Sequence, residues 1–424
     1  MMHFDNVNSI NLNDPEYFEI LSGLWSGKKP PFTKAGVIRN TNFTASGEID
    51  YSDVAWLDVE TKQLAKRKLK YGDIIIERSG GGPKQPVGRV VQFRREDGIF
   101  SFSNFTTTVR VKKFDDLDPL FAFYILLELY QSGRTEDIQR RTTGLRNLDF
   151  KAYKERALFP LISRREQHHI AYMLSTVQTA IEQQERLIKL TRELKSALMH
   201  KLFTEGLHGE KQKMTEIGPV PVSWDVIELA DMIEETEQVN MRTESERQIK
   251  YIDVSSISRE HLLVENTAEY LLKEAPGRAR KKVVTGDVIF ATVRPTLLRV
   301  AYINKELNNQ VCSTAFCVLR AKENVSDKYI YYVVQREQFI KQLAAIESGA
   351  NYPAVTDRQV KNQKIPKPEY DEQVKIAEIL DTCDRQLLHH AKKREVFEEL
   401  FRALLNQLIT GQVRVNDIDI KVGA

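Results

Sequence analysis

Cysteine is nearly absent. Cys312, Cys317 and Cys383 are the only three in 424 residues, which excludes a disulfide framework and fits a reducing cytoplasm. No apolar run approaches the roughly 18–20 residues that a membrane span needs. The opening "MMHFDNVNSINLNDPEYF" lacks the basic stretch and apolar core of a signal peptide. Metal signatures are missing too: there is no H-E-x-x-H and no C-x-x-C. The pairs His168-His169 and His389-His390 are neighbours, which point about 100° apart on a helix and share no face. Cys312 and Cys317, in "CSTAFC", read as buried small apolar residues. Net charge is only +3, so bulk charge names no partner. With 42% hydrophobic and 29% charged residues the chain is globular rather than disordered, and its length suggests two or three domains.

Nucleotide-hydrolysing and methyl-transfer motifs are also wanting. The stretch "YGDIIIERSGGGPKQPVGRVV", Tyr71 to Val91, has a glycine-rich turn after an apolar strand. A phosphate-cradling P-loop needs G-x-x-x-x-G-K-[ST], where lysine and hydroxyl reach phosphate and Mg²⁺. Here two prolines remove backbone donors, and Arg89-Val90 follows Gly88. "KPPF", residues 29–32, is close to the N-P-P-[FY] signature of amino-methyltransferases, but Lys29 cannot accept a hydrogen bond from an exocyclic amine. No Ser/His/Asp or paired-carboxylate arrangement stands out. The chemistry left is binding.

What is present is local charge. Between Thr61 and Arg95 there are ten Lys/Arg against two acids, and between Lys273 and Arg299 seven against two. Two basic segments in a nearly neutral chain suggest two anionic contact surfaces.

The chain also repeats itself. Gly72-Asp73 and an apolar strand recur as Gly286-Asp287 in "TGDVIFATVRPTLLRVAYI". Downstream, "FPLISRREQHHIAYML" (159–174) matches "IPKPEYDEQVKIAEIL" (365–380): Pro160 with Pro366, Gln167 with Gln373, Ile170-Ala171 with Ile376-Ala377, Leu174 with Leu380. The same spacing carries Ala197-Leu198 onto Ala403-Leu404 and Thr204 onto Thr410. This predicts a tandem duplication, each half a globular part followed by a long helix. A shorter helix is expected inside each globular part, one starting at Asp118-Pro119 and one at Ser326-Asp327.

The long helices carry the strongest periodicity. Met173, Val177, Ala180, Gln184, Leu187, Thr191, Leu194 and Leu198 step by four and three, as do Ile376, Leu380, Cys383, Leu387, His390, Arg394, Phe397, Phe401, Leu404 and Leu408. This heptad repeat predicts a coiled coil with helices of about 35 residues, roughly 50 Å long. The coiled-coil interface is expected at Val177, Leu187, Leu194, Leu198, Leu380, Leu387, Phe397, Phe401 and Leu404. Chain connectivity makes the pairing antiparallel. Ile181, Ile188, Leu190, Leu388, Val396 and Leu405 form apolar flanks beyond that seam. The expected boundaries are 1–160, first globular domain; 161–208, first long helix; 209–366, second domain; 367–410, second long helix; and 411–424, a segment returning to the first domain. The class is α+β.

Double-stranded DNA suits the basic loops best. It offers dense phosphate charge and base edges that Arg, Gln, Asn, Ser and Thr can read. The candidate DNA-binding residues are Arg78, Ser79, Lys84, Gln85, Arg89 and Arg94 in the first half. Arg278, Arg280, Thr292, Arg294, Thr296 and Arg299 are the candidates in the second. Arg146, with Asn147, and Asn351 with Tyr352 lie in matching glycine-containing turns.

These elements together resemble the specificity subunit of Type I restriction–modification systems. The resemblance rests on the duplicated G-D-[IV]-[IV] strands, the two [IFL]-P-x6-Q-x-x-I-A-x-x-L helix starts and "GPVPVSWDVIEL" (218–229), similar to the opening of a target-recognition domain. It covers nearly the whole chain, although no Pro-x-x-Trp opening precedes the first domain. It implies two target-recognition domains, each reading half of a split DNA sequence, spaced by an antiparallel coiled coil. It implies no catalysis and no cofactor on this chain. S-adenosylmethionine, ATP and Mg would sit on partner subunits: two modification (methyltransferase) subunits, and restriction subunits that translocate and cut. Other readings of the residues are a coiled-coil scaffold without DNA specificity, a fused methyltransferase, and an orphan or anti-restriction specificity protein.

Overall fold

The computed structural model describes residues 7–24, 29–44, 46–82, 85–142, 145–349 and 353–415. The chain divides into two compact units. The first comprises residues 1–183 and 394–424, the second residues 184–393. Each long helix, Arg164–Glu205 and Tyr370–Ile409, contributes to both.

In the first unit a four-stranded antiparallel sheet has the order Phe18–Ser22, Thr106–Val111, Ile74–Glu77, Val90–Gln92. Its central strand, "IIIE", is buried on both faces, as the unbroken apolar run requires. Ile74 and Ile76 face the helix Pro119–Gln131 and the long-helix residues Leu174, Ile181, Phe401 and Leu405. Ile75 faces the opposite way, onto Phe43, Phe93, Phe100 and Phe102. A second sheet orders Ala55–Glu60, Phe32–Ile38 and Phe100–Phe102, the last pair parallel. Asp118 caps Pro119–Gln131 by accepting the amides of Leu120 and Phe121.

The second unit repeats both sheets. One orders Ile233–Glu234, Phe316–Ala321, Val288–Ala291 and Val300–Tyr302. The other orders Ala268–Leu271, Gln248–Ile252 and Gln310–Ser313, again with a parallel pair, and then adds Ala279–Val283. That added strand carries Arg280, Lys281 and Lys282, whereas the first unit's basic segment opens with the helix Thr61–Arg67.

The residues repeated in the sequence are structural anchors. Asp73 accepts both prongs of Arg110 at 2.7 Å and the Lys70 amide at 2.8 Å. Asp287 accepts both prongs of Arg320 and the Val284 amide, each at 2.8 Å. Gln167 accepts the amide of Asp118 and donates to the Asp116 and Ile162 carbonyls. Gln373 accepts the amide of Ser326 and donates to the Pro368 carbonyl. Each glutamine thus ties a long helix to the cap of the shorter one.

Two expectations need correction. The helix from Ser326 is two helices, Asp327–Val333 and Glu337–Ile346. The break sets the Arg336 guanidinium over the Phe203 ring, 5.2 Å from its centroid, and keeps Phe339 and Leu343 in the core. The first helix's seam is also out of phase. Leu187 and Leu194 are 38% and 54% exposed, whereas Ile181 and Ile188 are buried. Two apolar stripes one residue apart run through "LIKLTRELKSAL", and the buried Ile188 lies on the one placed outside the predicted seam. The first unit also has an opening strand, although no Pro-x-x-Trp motif marks it. Ser9–Asn11 pairs with Leu158–Pro160 as Asp225–Glu228 pairs with Lys364–Lys367.

Elsewhere the seam residues are inward. Leu380 and Phe401 are buried; Val177, Leu198, Leu387, Phe397 and Leu404 are half-buried. Within the second unit Gln184 bonds His390 at 2.9 Å and Lys195 bonds Asp384 at 2.6 Å. The pairing runs downward on one helix as it rises on the other, hence antiparallel. In the first unit Arg414 grips the buried Glu166 with both prongs, at 2.6 and 2.8 Å, and Val415 is buried. Residues 416–424 lie outside the described residues.

Candidate nucleic-acid interface

The glycine-rich stretch is a connection between two sheet strands, and the second unit has its counterpart. In the first unit the Glu77 amide donates to the Arg89 carbonyl at 2.8 Å, closing residues 78–88 as a loop. In the second the Ala291 amide donates to the Arg299 carbonyl at 2.9 Å, closing 292–298. Gly80 and Gly88 turn the first loop at φ 103° and 107°. Arg294 and Leu298 turn the second at φ 50° and 45°. Such angles come free to glycine and cost other residues about 1–2 kcal/mol each. The surroundings hold them. The Arg294 amide donates to the Pro353 carbonyl at 2.7 Å, and Leu298 packs on the core.

Beside each loop lies a further chain segment. In the first unit it is a ribbon, Gln139–Thr142 paired with Leu145–Leu148, which pairs in turn with Ser79–Gly81. Arg146 stands opposite Gly81, and Asn147 opposite Ser79. In the second unit Ala354 bridges to Val293 and Ser348. Asn351 and Tyr352 belong to this stretch but lie outside the described residues, as does Lys84.

The candidates divide by where their side chains go. Gln85, Arg278, Arg294 and Thr296 are exposed, and Ser79, Arg146 and Arg280 are half-buried. Arg280 donates to the Met241 sulfur and the Ala279 carbonyl, both at 3.2 Å. Arg78 is half-buried with its guanidinium 4.7 Å from the Phe150 ring centroid. The other four turn inward. Arg89 holds the fully buried Glu77 at 2.8 and 2.9 Å and donates to the carbonyls of Asn40 and Phe43. Arg299 is its counterpart, donating to the carbonyls of Val254 and Ile257. It has Ala291 where Arg89 has Glu77, and desolvation with Arg259 nearby lowers its pKa. Thr292 is buried with its hydroxyl on the Ala315 carbonyl.

Arg94 reaches Glu48 and Gln92 and covers the Phe123 ring. Burial pushes the Glu48 carboxyl up to about 7 against the pull of Arg94. Gln178 of the long helix donates to Glu48 at 2.6 Å and accepts the Tyr124 hydroxyl at 2.8 Å. This network joins helix and domain within the first unit.

Sequence reasoning missed the ribbon. "QRRT" and "LRNL" are short and polar and show no apolar alternation, so neither stands out as a strand. The arginine-to-backbone cradles were missed as well, because they join residues some forty positions apart.

Among the described residues no group of three or more His, Cys, Asp or Glu could hold a metal ion. Burial pushes the Cys317 thiol up to about 12, and Cys312 higher still, so neither is a nucleophile. No helix among the described residues is long and apolar enough to cross a membrane.

Comparison with known proteins points one way. Residues 221–398 match the Type I restriction modification DNA specificity domain. The Type I restriction enzyme MjaVIII specificity subunit of Methanocaldococcus jannaschii is 26% identical over 345 residues, 77% of either chain. The HindI specificity subunit of Haemophilus influenzae is 26% identical over 137 residues, 31% of this chain and 30% of that one. The crystal structure of a Type-I restriction-modification system S subunit from M. genitalium matches with TM-score 0.61 and 16% identity, over 96% of this chain and 98% of that one, which shows the shared fold. Proteins of this kind recognise DNA and leave the catalysis to other subunits. Residues 221–398 thus carry the Type I restriction modification DNA specificity domain, and the chain as a whole resembles the specificity subunits of Type I restriction–modification systems in sequence and in fold.

Proposed function

We propose that the chain reads a two-part DNA sequence, one part with each loop, and that its long helices fix the gap between the parts. The observation that carries this is the duplicated loop. Both copies leave the same sheet strand, turn through two left-handed corners and close on an arginine that grips backbone. The anchors are shared, while the residues between the corners differ in number and kind. A constant frame with a variable tip is what two different half-sites call for.

The proposed contacts are Arg78, Ser79, Lys84, Gln85 and Arg146 in the first unit. In the second they are Arg278, Arg280, Arg294 and Thr296, with Asn351 and Tyr352. Exposed arginines neutralise phosphate; Gln85, Ser79 and Thr296 have the donors and acceptors to read base edges. Arg89, Arg94, Thr292 and Arg299 are left out because their donors serve the fold.

In this reading the chain works in the cytoplasm and recruits two modification subunits and the restriction subunits. S-adenosylmethionine, ATP and Mg act on those partners. The test is selection from random duplex DNA by the full chain, purified with its modification subunit. Enrichment of two short motifs at one fixed gap is expected. A single motif, or no enrichment, overturns the reading and leaves a scaffold.

A further inference from the structure

The first unit offers a contact that the second lacks. Residues 103–106 form a tight turn, the Thr106 amide and hydroxyl both donating to the Ser103 carbonyl, at 3.0 and 2.8 Å. Turn corners favour Gly, Asn, Asp and Ser. Here Asn104 is followed by Phe105, a residue 44% exposed. The turn is bound to the reading loop. The Phe105 carbonyl accepts the Arg78 amide at 2.8 Å and the Ser79 amide at 3.2 Å. Its other side is fixed by the Ser103 amide on the Ile38 carbonyl at 2.9 Å and by the Leu24–Ser103 bridge. An aromatic ring is therefore held in the open at the root of a basic loop, on a backbone that cannot fold it away.

The second unit shows that the fold does not require this ring. There the Thr292 amide donates to the Ala315 carbonyl at 2.8 Å, the bond that Arg78 makes to Phe105. Ala315 is 8% exposed and has no ring to offer.

We propose that Phe105 is a wedge: it stacks into one base step of the half-site read by the first unit, opening that step, and the other half-site is not opened. This rests on the DNA-reading function proposed above. Apolar side chains set among basic residues partly unstack and kink a duplex, most easily at pyrimidine–purine steps. The residue thus adds specificity through deformability at a step that need receive no hydrogen bond.

The test uses the full chain with its modification subunit and the duplex it selects, with 2-aminopurine placed at successive positions. Wild type should raise the fluorescence at one step of one half-site only. Phe105→Ala should abolish that signal and weaken binding by about tenfold, the scale of one lost aromatic–base stack. Its salt dependence should stay unchanged, since no phosphate contact is lost, and its melting temperature should fall by only a few degrees, since Phe105 is outside the core. Phe105→Trp should keep the signal. The wedge is overturned if wild type unstacks no base in that half-site, or if Phe105→Ala binds as wild type does. A two-part selected motif together with an inert Phe105→Ala would sink the wedge alone, whereas failure to select any motif would remove both proposals.

Discussion

Replacing Arg89 by leucine separates a structural arginine from a DNA-contacting one. Arg89 is 12% exposed and its partner Glu77 1%. Loss of the guanidinium would strand a buried carboxylate and two carbonyls, those of Asn40 and Phe43. Removing one partner of a buried pair costs about 3–5 kcal/mol. For a unit of about 200 residues, each kcal/mol moves the melting temperature by roughly 2–4 °C, so a fall of about 6–20 °C is expected. The second unit is the internal control. Ala291 stands where Glu77 does, and Arg299 still bonds the Val254 and Ile257 carbonyls at 2.9 and 2.6 Å. Glu77→Ala should therefore be milder, about 1–3 kcal/mol, since Arg89 keeps its carbonyls and an edge of solvent. Combining Glu77→Ala with Arg89→Leu should recover much of the loss, because no uncompensated charge remains. Thermal melts of the four proteins complete the cycle, and DNA binding measured well below the melting points should be nearly unchanged in all. If Arg89→Leu keeps its melting temperature and loses DNA affinity, the inward assignment is wrong.

Further outcomes follow from other contacts. Glu48, with its carboxyl raised to about 7, binds its proton more tightly folded than unfolded. Stability of the first unit should fall as pH rises from about 4.5 to 7, by on the order of 3 kcal/mol at most. Glu48→Gln should flatten that part of a pH–stability profile, and an unchanged slope would assign it to another group. In the first long helix Ile188→Ala should cost about 2–5 kcal/mol and Leu194→Ala under about 0.5. The reverse order in denaturant melts would restore the discarded seam phase. Inserting one heptad into both helices, beside Gln184 and His390, adds about 10.5 Å. The selected gap should widen by about three base pairs at 3.4 Å each, and an unaltered gap would refute the helices as a ruler.

The duplication was legible because identity at constant spacing survives where the fold demands one residue. Gln167 and Gln373, or Asp73 and Asp287, do the same job in each half, so the sequence marked them without revealing the job. Their partners Arg110 and Arg320 come from a neighbouring strand and carried no local signal. The opening strand of the first domain was hidden for the opposite reason. Ser9–Asn11 is three residues long and lacks the tryptophan that announces Asp225–Glu228. Trp224 donates to Glu372 at 2.9 Å, whereas Glu166, at the matching place in the first long helix, is held by Arg414. The same need for a partner at the helix start is met from opposite ends of the chain, and a motif search sees only one of the solutions. Charge was the least legible feature. Ten basic residues in one segment fixed neither face nor partner, and several of them, Arg67, Arg89, Arg94 and Arg95 among them, serve internal bonds.

The glycines of the opening stretch acquire their meaning from the unit that lacks them. Had glycine been required for ligand approach, the second loop would need it as well. It makes its own positive-φ corners with Arg294 and Leu298, held by the Pro353 carbonyl and by core packing. The shared feature is thus a positive-φ residue at two corners of each loop. Gly80 meets it without strain, and the Nδ2 of Asn40 lies 2.6 Å from where a Cβ would stand. The loop is longer in the first unit, and its tip differs entirely from Pro295–Leu297. Corners fixed by the frame leave the tip free to change. If the loops read DNA as proposed, target choice can vary between the two halves of one chain while the sheets and helices that carry the loops stay unchanged.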